Sequence, residues 1–464
     1  MIRRAFVLSS ALSVAACMPA ERPAPAASAI TVPAGWRDGS ANTGIVDARW
    51  WQAFNDPNLT GLVEAALARN TDVLAATARI QEAEANIRLA RSTLLPTLNA
   101  SSGLGRSRSL GATGAATSTT IQPSLDASWQ VDLFGRLSKL TDAARLQYRA
   151  SQADRDAVAL AMAAQVAQAY VGLLALDAQL TVSRETVTSR VEALRLAQDQ
   201  ARVGYISQYE LTQAQSEYEA VEQAIPQLLL AIRAQENAIR TLTGDLPGPV
   251  ARAKSLALIA PPSVPAMLPS DLLARRPDLA SAAFAVAAAD ASLASDRRAF
   301  LPQVALSASL GELLVNALDY DPVTVWSIGG SILAPIFQGG RLTAQVDVST
   351  SLRDQAAFAY RGTVLTAFQE VETALTGVQR YDEQFRRVIN RRNILLRSVG
   401  LATDRYRGGY AAYLEQLDAQ RNLYSTELEA ITVRQDQLNN IITLYRALGG
   451  GWSAAPADNH TGIR

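Results

Sequence analysis

No proline occurs between Ser124 and Ile225, or between Ile336 and Ala455, which leaves uninterrupted stretches of 102 and 120 residues. Proline inside a helix costs about 3 kcal/mol, because it lacks the N–H and its ring meets the carbonyl four residues back. Its absence over a hundred residues, twice, points to long helices. The prolines that do occur gather between Pro19 and Pro33, at Pro96, Pro123, Pro302, Pro322 and Pro335, and between Pro247 and Pro277.

The two proline-free stretches match each other at a constant offset of 205. Arg136 corresponds to Arg341, Val166 to Val371, Arg202 to Arg407, Gly204-Tyr205 to Gly409-Tyr410 and Glu210 to Glu415. Ala214-Gln215 corresponds to Ala419-Gln420, and Gly244 to Gly449. An earlier segment repeats at 206, where Asp72 matches Asp278, Arg91 matches Arg297, Leu95-Pro96 matches Leu301-Pro302, and Gly105 matches Gly311. The chain is therefore a tandem duplication of a unit of roughly 200 residues. Each copy reads as a helix, two strands, a long helix and a second helix.

Apolar residues recur every seven positions along the long helices. Val166, Leu173, Leu180, Val187 and Leu194 form a seam in the first copy. Its partner helix, read as one element, carries Leu211, Tyr218, Ile225, Ile232 and Ile239. The second copy shows Val364, Val371, Val378 and Phe385 as one seam, and Phe368, Leu375, Ile389 and Leu396 as another. Its last helix carries Leu417, Tyr424, Ile431, Leu438 and Tyr445. A sustained seven-residue period predicts coiled-coil packing. Some 65 helical residues make a rod of about 100 Å, too long for a compact bundle. Two seams on one helix suit a neighbour on each side, as in a tube of helices.

Composition narrows the function. The 464 residues carry 43 basic and 43 acidic side chains, without the basic excess of a nucleic-acid binder. A single Cys rules out an internal disulfide, and one Cys with one His argues against a zinc site. His460 stands near the C-terminus, away from any motif, and no nucleophile–base set, phosphate loop or metal cluster is visible. The chain is not expected to be an enzyme or to carry a cofactor.

The N-terminal run from Met1 to Cys17, MIRRAFVLSSALSVAAC, combines a basic start, an apolar stretch and small residues before the Cys. That is the pattern of an export signal. Val14-Ala15-Ala16-Cys17 also resembles a bacterial lipobox, in which the Cys receives a covalent lipid (palmitate among the expected acyl groups) and becomes the new N-terminus. The alternative is an ordinary signal peptide with an incidental Cys. Two or three acyl chains, at about 0.8 kcal/mol per buried CH₂, make a firm anchor. By resemblance to lipoprotein sorting rules, Met18 rather than Asp after the Cys favours the outer membrane. Cleavage removes Arg3 and Arg4 and leaves a formal charge of −2. Residues 18–34 are Pro/Ala-rich, as in an extended tether.

After this leader no apolar run reaches the roughly 18 residues that a spanning helix needs, so no transmembrane helix is expected. The segments between the helices offer another route. Ile121, Pro123, Leu125, Ala127, Trp129, Val131 and Leu133 alternate with Gln122, Ser124, Asp126, Ser128, Gln130 and Asp132. Leu98, Ala100, Ser102 and Leu104 share one face of the preceding segment. The second copy repeats this with Val304, Leu306, Ala308 and Leu310, then Trp326, Ile328, Gly330 and Ile332. Strands of about ten residues with a lipid side and a lumen side mark a membrane barrel. The hairpins are expected to turn through Gly/Ala/Ser/Asn-rich loops near 111–118 and 316–321. Four strands cannot close a barrel, and an open edge is not tolerated in lipid. With eight strands the usual minimum, at least two chains must share one barrel. Soluble hairpins packed on a core remain the alternative.

Several motifs, in this order around the duplication, resemble the TolC/OprM outer-membrane efflux channels in their lipidated NodT-like branch. They are the run from Trp50 to Leu59 (WWQAFNDPNL), Ala66-Leu67 followed by Asn70-Thr71-Asp72, Leu94-Leu95-Pro96, and Val131 to Arg136 (VDLFGR). Leu272 to Leu279 (LLARRPDL), Ala334 to Gly340 (APIFQGG) and Leu417-Asp418-Ala419-Gln420 complete the set. The resemblance implies a homotrimer with a mainly α fold and a membrane β-barrel. Four strands per chain contribute to a 12-stranded barrel, the long coiled-coil helices form a periplasmic α-barrel, and a mixed equatorial belt surrounds it. The implied role is a passive exit duct for drugs or other small amphipathic compounds. Its partners would be a periplasmic adaptor (membrane fusion) protein, an inner-membrane transporter of the resistance-nodulation-division type, and outer-membrane lipid.

The turns at Arg202-Val203-Gly204-Tyr205 and Arg407-Gly408-Gly409-Tyr410 end the long helices, with Gly supplying the positive φ of a sharp reversal. The resemblance makes Arg202, Gly204, Tyr205, Arg407, Gly409 and Tyr410 adaptor-contact tips. Glu415 and Asp418, three apart, share a helix face. Asp418 matches a family acidic position at the tunnel entrance, and Glu415 a looser one. In a trimer they would form stacked negative rings that attract cations. A solvated helix face is the alternative. Their counterparts, Glu210 and Gln213, make the first copy less acidic. Tyr406 matches a family aromatic that helps hold the entrance shut, while Ala411 stands where the family has an Arg.

The expected organisation is a signal peptide over 1–16, an anchored tether and equatorial segment over 17–58, and a first repeat over 59–246. That repeat has its hairpin at about 97–133 and its long helix pair at 137–243. A Pro-rich linker over 247–269 leads to a second repeat over 270–450, with its hairpin at about 303–337 and its helix pair at 341–448, followed by a tail over 451–464. The competing readings are a same-fold channel for type I protein secretion or metal-ion export, and a non-conducting periplasmic coiled-coil lipoprotein.

Overall fold

The computed structural model describes residues 22–37, 46–111, 114–253, 255–260, 262, 269–316 and 322–453. Cys17, His460, most of the expected tail and most of the second hairpin loop lie outside the described residues. The first repeat folds as α1 (Pro57–Arg69), α2 (Thr71–Ser92), β1 (Thr97–Gly111), β2 (Gly114–Val131), α3 (Arg136–Arg202), α4 (Gln208–Glu222) and α5 (Ala224–Leu242). The second folds as α6 (Pro269–Arg275), α7 (Pro277–Arg298), β3 (Gln303–Val315), β4 (Val323–Leu333), α8 (Arg341–Arg407) and α9 (Tyr413–Ala447). Helices α3 and α8 each run 67 residues, which is what the missing prolines require. The fold class read from the sequence, mainly α with four strands in a duplicated unit, is the one observed.

The chain divides into two compact units. One contains residues 22–30, 78–152 and 281–362 among those described. Its centre is an antiparallel sheet in the order β1-β2-β3-β4, so the two hairpins join edge to edge between β2 and β3. The register places Ala100, Leu125, Leu310 and Trp326 in one row, and Leu98, Ala127, Ala308 and Ile328 in the next. All of these side chains therefore share a face. Leu98, Leu104, Trp326, Ile328 and Ile332 are each at least 70% exposed, so this chain does not cover that face. The opposite face is polar and bonded across strands. Ser101 meets Ser124 at 2.9 Å, Thr97 meets Ser128 at 2.7 Å, and Ser309 meets Ser327 at 2.8 Å. Gln130 donates to Gln303 at 3.0 Å. Strands β1 and β4 each leave one edge without a strand partner among the described residues.

One expectation fails here. Gly111 and residues 114–118 are strand rather than loop, because β1 and β2 stay in register up to Gly111 opposite Gly114. The strands are 15 and 18 residues long rather than about ten. The β-branched Thr117, Thr119 and Thr120 suit a pleated surface. After β2, the Asp132 carboxylate accepts from the amides of Leu137 (3.0 Å) and Ser138 (2.8 Å), satisfying the open start of α3.

The other unit contains residues 31–77, 153–280 and 363–453 among those described. Trp50 lies buried against Trp51 and Phe54, and stacks on Tyr445 at 5.6 Å. Asp56 caps α1 through the amides of Asn58 (2.8 Å) and Leu59. Its second oxygen accepts from the Tyr170 hydroxyl at 2.5 Å, and that hydroxyl accepts from the Ala253 amide at 2.9 Å. The WWQAFNDPNL run is thus a buried plug that ends in a helix cap.

The duplication reappears as repeated joints. Gly244 and Gly449 both have positive φ, and a Cβ on either would press on a backbone carbonyl, that of Arg69 or of Arg275. The residue after that carbonyl's own then caps a helix end. Asn70 Nδ2 donates to Leu242 O (2.9 Å) in the first copy, and Arg276 Nη1 to Ala447 O (3.1 Å) in the second. Arg276 is further held by Asp278 (2.7 Å) and Glu370 (2.8 Å).

Two more expectations need correction. The partner helix over 208–243 is broken at Gln223, between α4 and α5. Pro226 cannot donate to the Glu222 carbonyl and its ring crowds it; α9, with Ile431 at the matching place, runs unbroken. An 18-residue window of α3 reaches a mean hydropathy of 1.7, so an apolar run does follow the leader. Just over half of that window is buried within the structure. Ala163, Val166, Ala167, Tyr170, Leu173 and Leu174 of α3 are packed in helix–helix seams, where small and branched residues raise hydropathy.

Of the two α8 seams, Val364 and Val371 are fully buried, whereas Leu396 on the second is 42% exposed. That side of α8 has less cover within this chain.

Candidate entrance at the helix tips

The long helices reverse direction at two turns with the same hydrogen bonds. At the first, Tyr205 N donates to Gln200 O (2.9 Å) and Gly204 N to Ala201 O (3.1 Å). At the second, Tyr410 N donates to Arg405 O (2.9 Å) and Gly409 N to Tyr406 O (3.0 Å). Gly204 and Gly409 both sit at φ 75°, which is why glycine is needed there. Tyr205 and Tyr410 project into solvent, 72% and 83% exposed. Arg202 is exposed and paired with Asp199 at 2.5 Å; Arg407 is exposed as well.

The entries to the following helices differ. In the first copy, Ser207 Oγ accepts from Glu210 N (3.2 Å), and the Glu210 carboxylate accepts from Ser207 N (3.0 Å). This capping box occupies Glu210. The second copy has Ala412 at that place, with no side-chain cap. Glu415 is left to pair across the turn with Arg405 at 3.0 Å. Arg405 in turn stands where the first copy has Gln200, whose amide oxygen accepts from the Tyr406 hydroxyl at 3.0 Å.

Glu415 and Asp418 lie three apart on α9. Both are exposed, and the buried face of α9 carries Tyr413, Gln416 and Leu417 instead. The sequence reading missed the Arg405 partner of Glu415. Asp418 accepts from Asn422 at 3.2 Å. Tyr406 is half-buried beside Tyr413, with ring centres 5.6 Å apart, in a cluster with Ala197, Ala214 and Leu417. Burial, with Glu210 nearby, pushes the Tyr406 phenol above its ordinary range, so it remains a hydrogen-bond donor.

A buried charge network also escaped notice. Arg190, on α3, is 3% exposed and bonds to Gln420 of α9. Glu217, on α4, lies 3.9 Å from Arg190 and accepts from Arg421 Nε at 2.9 Å. Burial lowers the Arg190 pKa, partly offset by Glu217. Burial also raises the Tyr413 phenol. The offset of 205 pairs Arg190 with Leu395 and Glu217 with Asn422, so these charges depart from the repeat. That departure was the available signal. Among the described residues no group of three or more His, Cys, Asp or Glu is placed to hold a metal ion.

Comparison with known proteins agrees with this geometry. The family model described as outer membrane efflux protein matches residues 62–245 and 268–450, two segments set at the same offset as the internal repeat. The pyoverdine export outer membrane protein OpmQ of Pseudomonas putida is 32% identical, over 97% of this chain and 98% of that protein. The solvent efflux pump outer membrane protein SrpC of Pseudomonas putida is 34% identical over 87% of each. Among solved structures, the outer-membrane channel OprN superposes with a TM-score of 0.85 at 25% identity, covering 93% of this chain and 99% of that one. The open state of the Neisseria gonorrhoeae MtrE outer membrane channel gives 0.81 at 28% identity, over 94% and 98%.

Proposed function

This chain belongs to the outer membrane efflux protein family and is an outer-membrane efflux channel; from that premise we propose that it is the passive exit duct of a tripartite pump for small amphipathic compounds. The observation that carries this reading is the four-stranded sheet, with an exposed apolar face, a hydrogen-bonded polar face and two open edges. In lipid such edges must be paired, and three copies supply a closed barrel of twelve strands. The half-covered second seam of α8 supports a further helix of a neighbouring copy beside it, as a tunnel wall requires. The duct does no chemistry of its own. An inner-membrane transporter drives the cargo and a periplasmic adaptor joins the two, with Arg202, Gly204, Tyr205, Arg407, Gly409 and Tyr410 at the docking tips. The relatives named for pyoverdine and solvents support small organic cargo.

The entrance is formed by Tyr406, Glu415 and Asp418. In this reading Tyr406 holds one arm to the other through Gln200, and the carboxylates attract cations at the mouth. Cys17 carries the covalent lipid that fixes the N-terminus to the outer membrane. Deleting the gene and measuring susceptibility over a broad panel of antibiotics, dyes and solvents tests the duct. Sensitisation to several compounds, restored by the intact gene, is expected. No change for any compound would refute it.

A further inference from the structure

Arg434 of α9 carries a half-buried charge whose hydrogen bonds, among the described residues, go only to neutral oxygens. Nη1 donates to Gln437 Oε1 at 2.6 Å and Nη2 to Ile259 O at 2.7 Å, while the guanidinium stands 5.3 Å over the Phe385 ring. Arg252 and Arg276 in the same unit are balanced differently. Each pairs with two carboxylates, Asp177 and Glu236 for the first, Asp278 and Glu370 for the second. Burial pulls the Arg434 guanidinium below its ordinary range, with no neighbouring charge to offset it. A guanidinium has five N–H donors, so three remain for a further acceptor. The linker between Asp245 and Asp271 contains no other Asp or Glu and brings no counter-charge. The matching residue of the first repeat is Leu229, so this charge is not a feature of the duplicated unit.

Arg434 borders a cavity of about 670 Å³, within the range of roughly 300–1,000 Å³ typical of small-molecule sites. The cavity lies between α3, α8 and α9, beside residues 255–257 of the linker. Leu174, Val182, Leu256, Phe385, Ile389 and Ile431 give it an apolar lining. Its acidic residues are engaged or remote. Asp177 is held by Arg252, and Glu427 pairs with Arg392 at 3.3 Å. Glu185 is exposed and stands eight residues, about 12 Å along α3, beyond Asp177 toward the tips. Arg434 is at the other end, seven residues or about 10 Å along α9 from Glu427. The wall thus combines an apolar body with a cation that no carboxylate among the described residues balances.

We propose that this cavity binds an anionic amphiphile, a carboxylate with an alkyl or aromatic body, with its head on Arg434 and its body between α3 and α8. The anion makes the charge-assisted hydrogen bonds that Gln437 and Ile259 cannot, and the apolar body leaves water. Glu427 follows Asp418 by nine residues, two and a half helical turns, so the cavity is on the side of α9 opposite to Asp418. With Asp418 at the mouth of the duct, as proposed above, the site is outside the exit route and its occupant is not cargo in transit. Binding itself does not depend on that reading.

The test uses the assembled, full-length protein in amphipol. It is illuminated with dodecanoic acid bearing a terminal diazirine, and the labelled peptides are identified by mass spectrometry. Label is expected within 174–185, 385–392 or 427–434, competed by dodecanoate and not by dodecyltrimethylammonium at equal concentration. Arg434→Gln should reduce it about tenfold or more, and Glu185→Gln should leave it unchanged. Ala178→Phe fills the cavity with Arg434 intact and should cause the same loss, which keeps the result readable if Arg434→Gln does not assemble. Label confined to the exposed apolar face of the sheet, undiminished label in Arg434→Gln or Ala178→Phe, or equal competition by both dodecyl compounds would overturn the proposal. The labelling involves no transport, so its outcome is separate from that of the duct.

Discussion

The two helix entries at the tips differ at the capping position, Ser207 against Ala412, and restoring the serine should move Glu415. Ala412 sits at φ −72°, ψ 154°, nearly the backbone of Ser207 at φ −76°, ψ 156°, so Ala412→Ser introduces no strain. The first copy displays the resulting geometry. The serine oxygen accepts from the amide three residues on, and the glutamate returns to the serine amide at 3.0 Å. A new cap of this kind contributes about 1 kcal/mol, within a range of roughly 0.5–2. Against it stands the Arg405–Glu415 pair, whose side chains are 58% and 44% exposed and whose worth is about 0–1 kcal/mol. Taking the exposed pair at the low end, about 0.3 kcal/mol, the cap wins by roughly 0.7 kcal/mol, equivalent to about a threefold change in opening.

Hydrogen exchange across the first two turns of α9 is the direct assay. Ala412→Ser should slow it by that factor, with no change in the middle of α9. A double-mutant cycle tests the mechanism as well as the size. Arg405→Ala should destabilise the tip in the parent and be nearly neutral beside Ala412→Ser, because Glu415 has left Arg405. Unchanged exchange, or an Arg405→Ala penalty equal in both backgrounds, would refute the reasoning.

Other consequences are simpler to state. Asp418→Ala combined with Glu415→Ala should raise single-channel conductance or weaken cation block in a planar bilayer, and an unchanged block would remove the entrance ring. Gly204→Ala, with no atom within 4 Å of the new Cβ, should cost only the left-handed strain of about 1–2 kcal/mol. Gly449→Ala, at the same kind of φ but with its new Cβ driven into the Arg275 carbonyl, should cost well over that and lower the thermal midpoint further. Burial would raise the Glu236 carboxyl, but the hydrogen bond and charge of Arg252 outweigh it and hold the group below its ordinary range. A depressed folded value means that its stabilisation is complete above pH ~4.3 and is lost as the pH falls through the lowered value. Arg252→Gln should therefore move the acid-unfolding midpoint upward, as read by circular dichroism.

What the sequence disclosed was set by periods and repeats, because those survive without knowledge of partners. The absence of proline predicted α3 and α8, and the offset of 205 matched their starts to the residue. Alternation gave the correct face for Leu98, Leu125, Leu310 and Trp326, since the pleat has a period of two. Hairpin length was misjudged because glycine, alanine and serine are permissive rather than strand-breaking, and pairing with a neighbour decided the outcome. The break at Gln223 was legible in Pro226 but was outweighed by the heptad seam. Arg190, Glu217 and Arg421 show in the sequence only as departures from the repeat, and their burial does not show at all. A charged residue on a long helix looks solvated until the helices that cover it are in place.

The strand order explains how a duplicated chain can build a closed wall. Joining two hairpins through β2 and β3 gives a sheet whose free edges, β1 and β4, come from different repeats. With an even number of antiparallel strands, those edges run in opposite directions. The β4 edge of one copy can then continue antiparallel onto the β1 edge of the next. Such a contact joins two different surfaces, and it closes only as a ring. A single hairpin unit could make the same ring from six copies, but every entrance residue would then recur six times. Duplication lets the two halves diverge while the wall is preserved. Ser207 against Ala412 and Gln200 against Arg405 are places where this has happened. Ser207 keeps Glu210 in a local cap where Ala412 frees Glu415 for Arg405, and Gln200 and Arg405 bond to different helices. The asymmetry between halves, rather than the repeat itself, is therefore where gating residues should be sought in this chain.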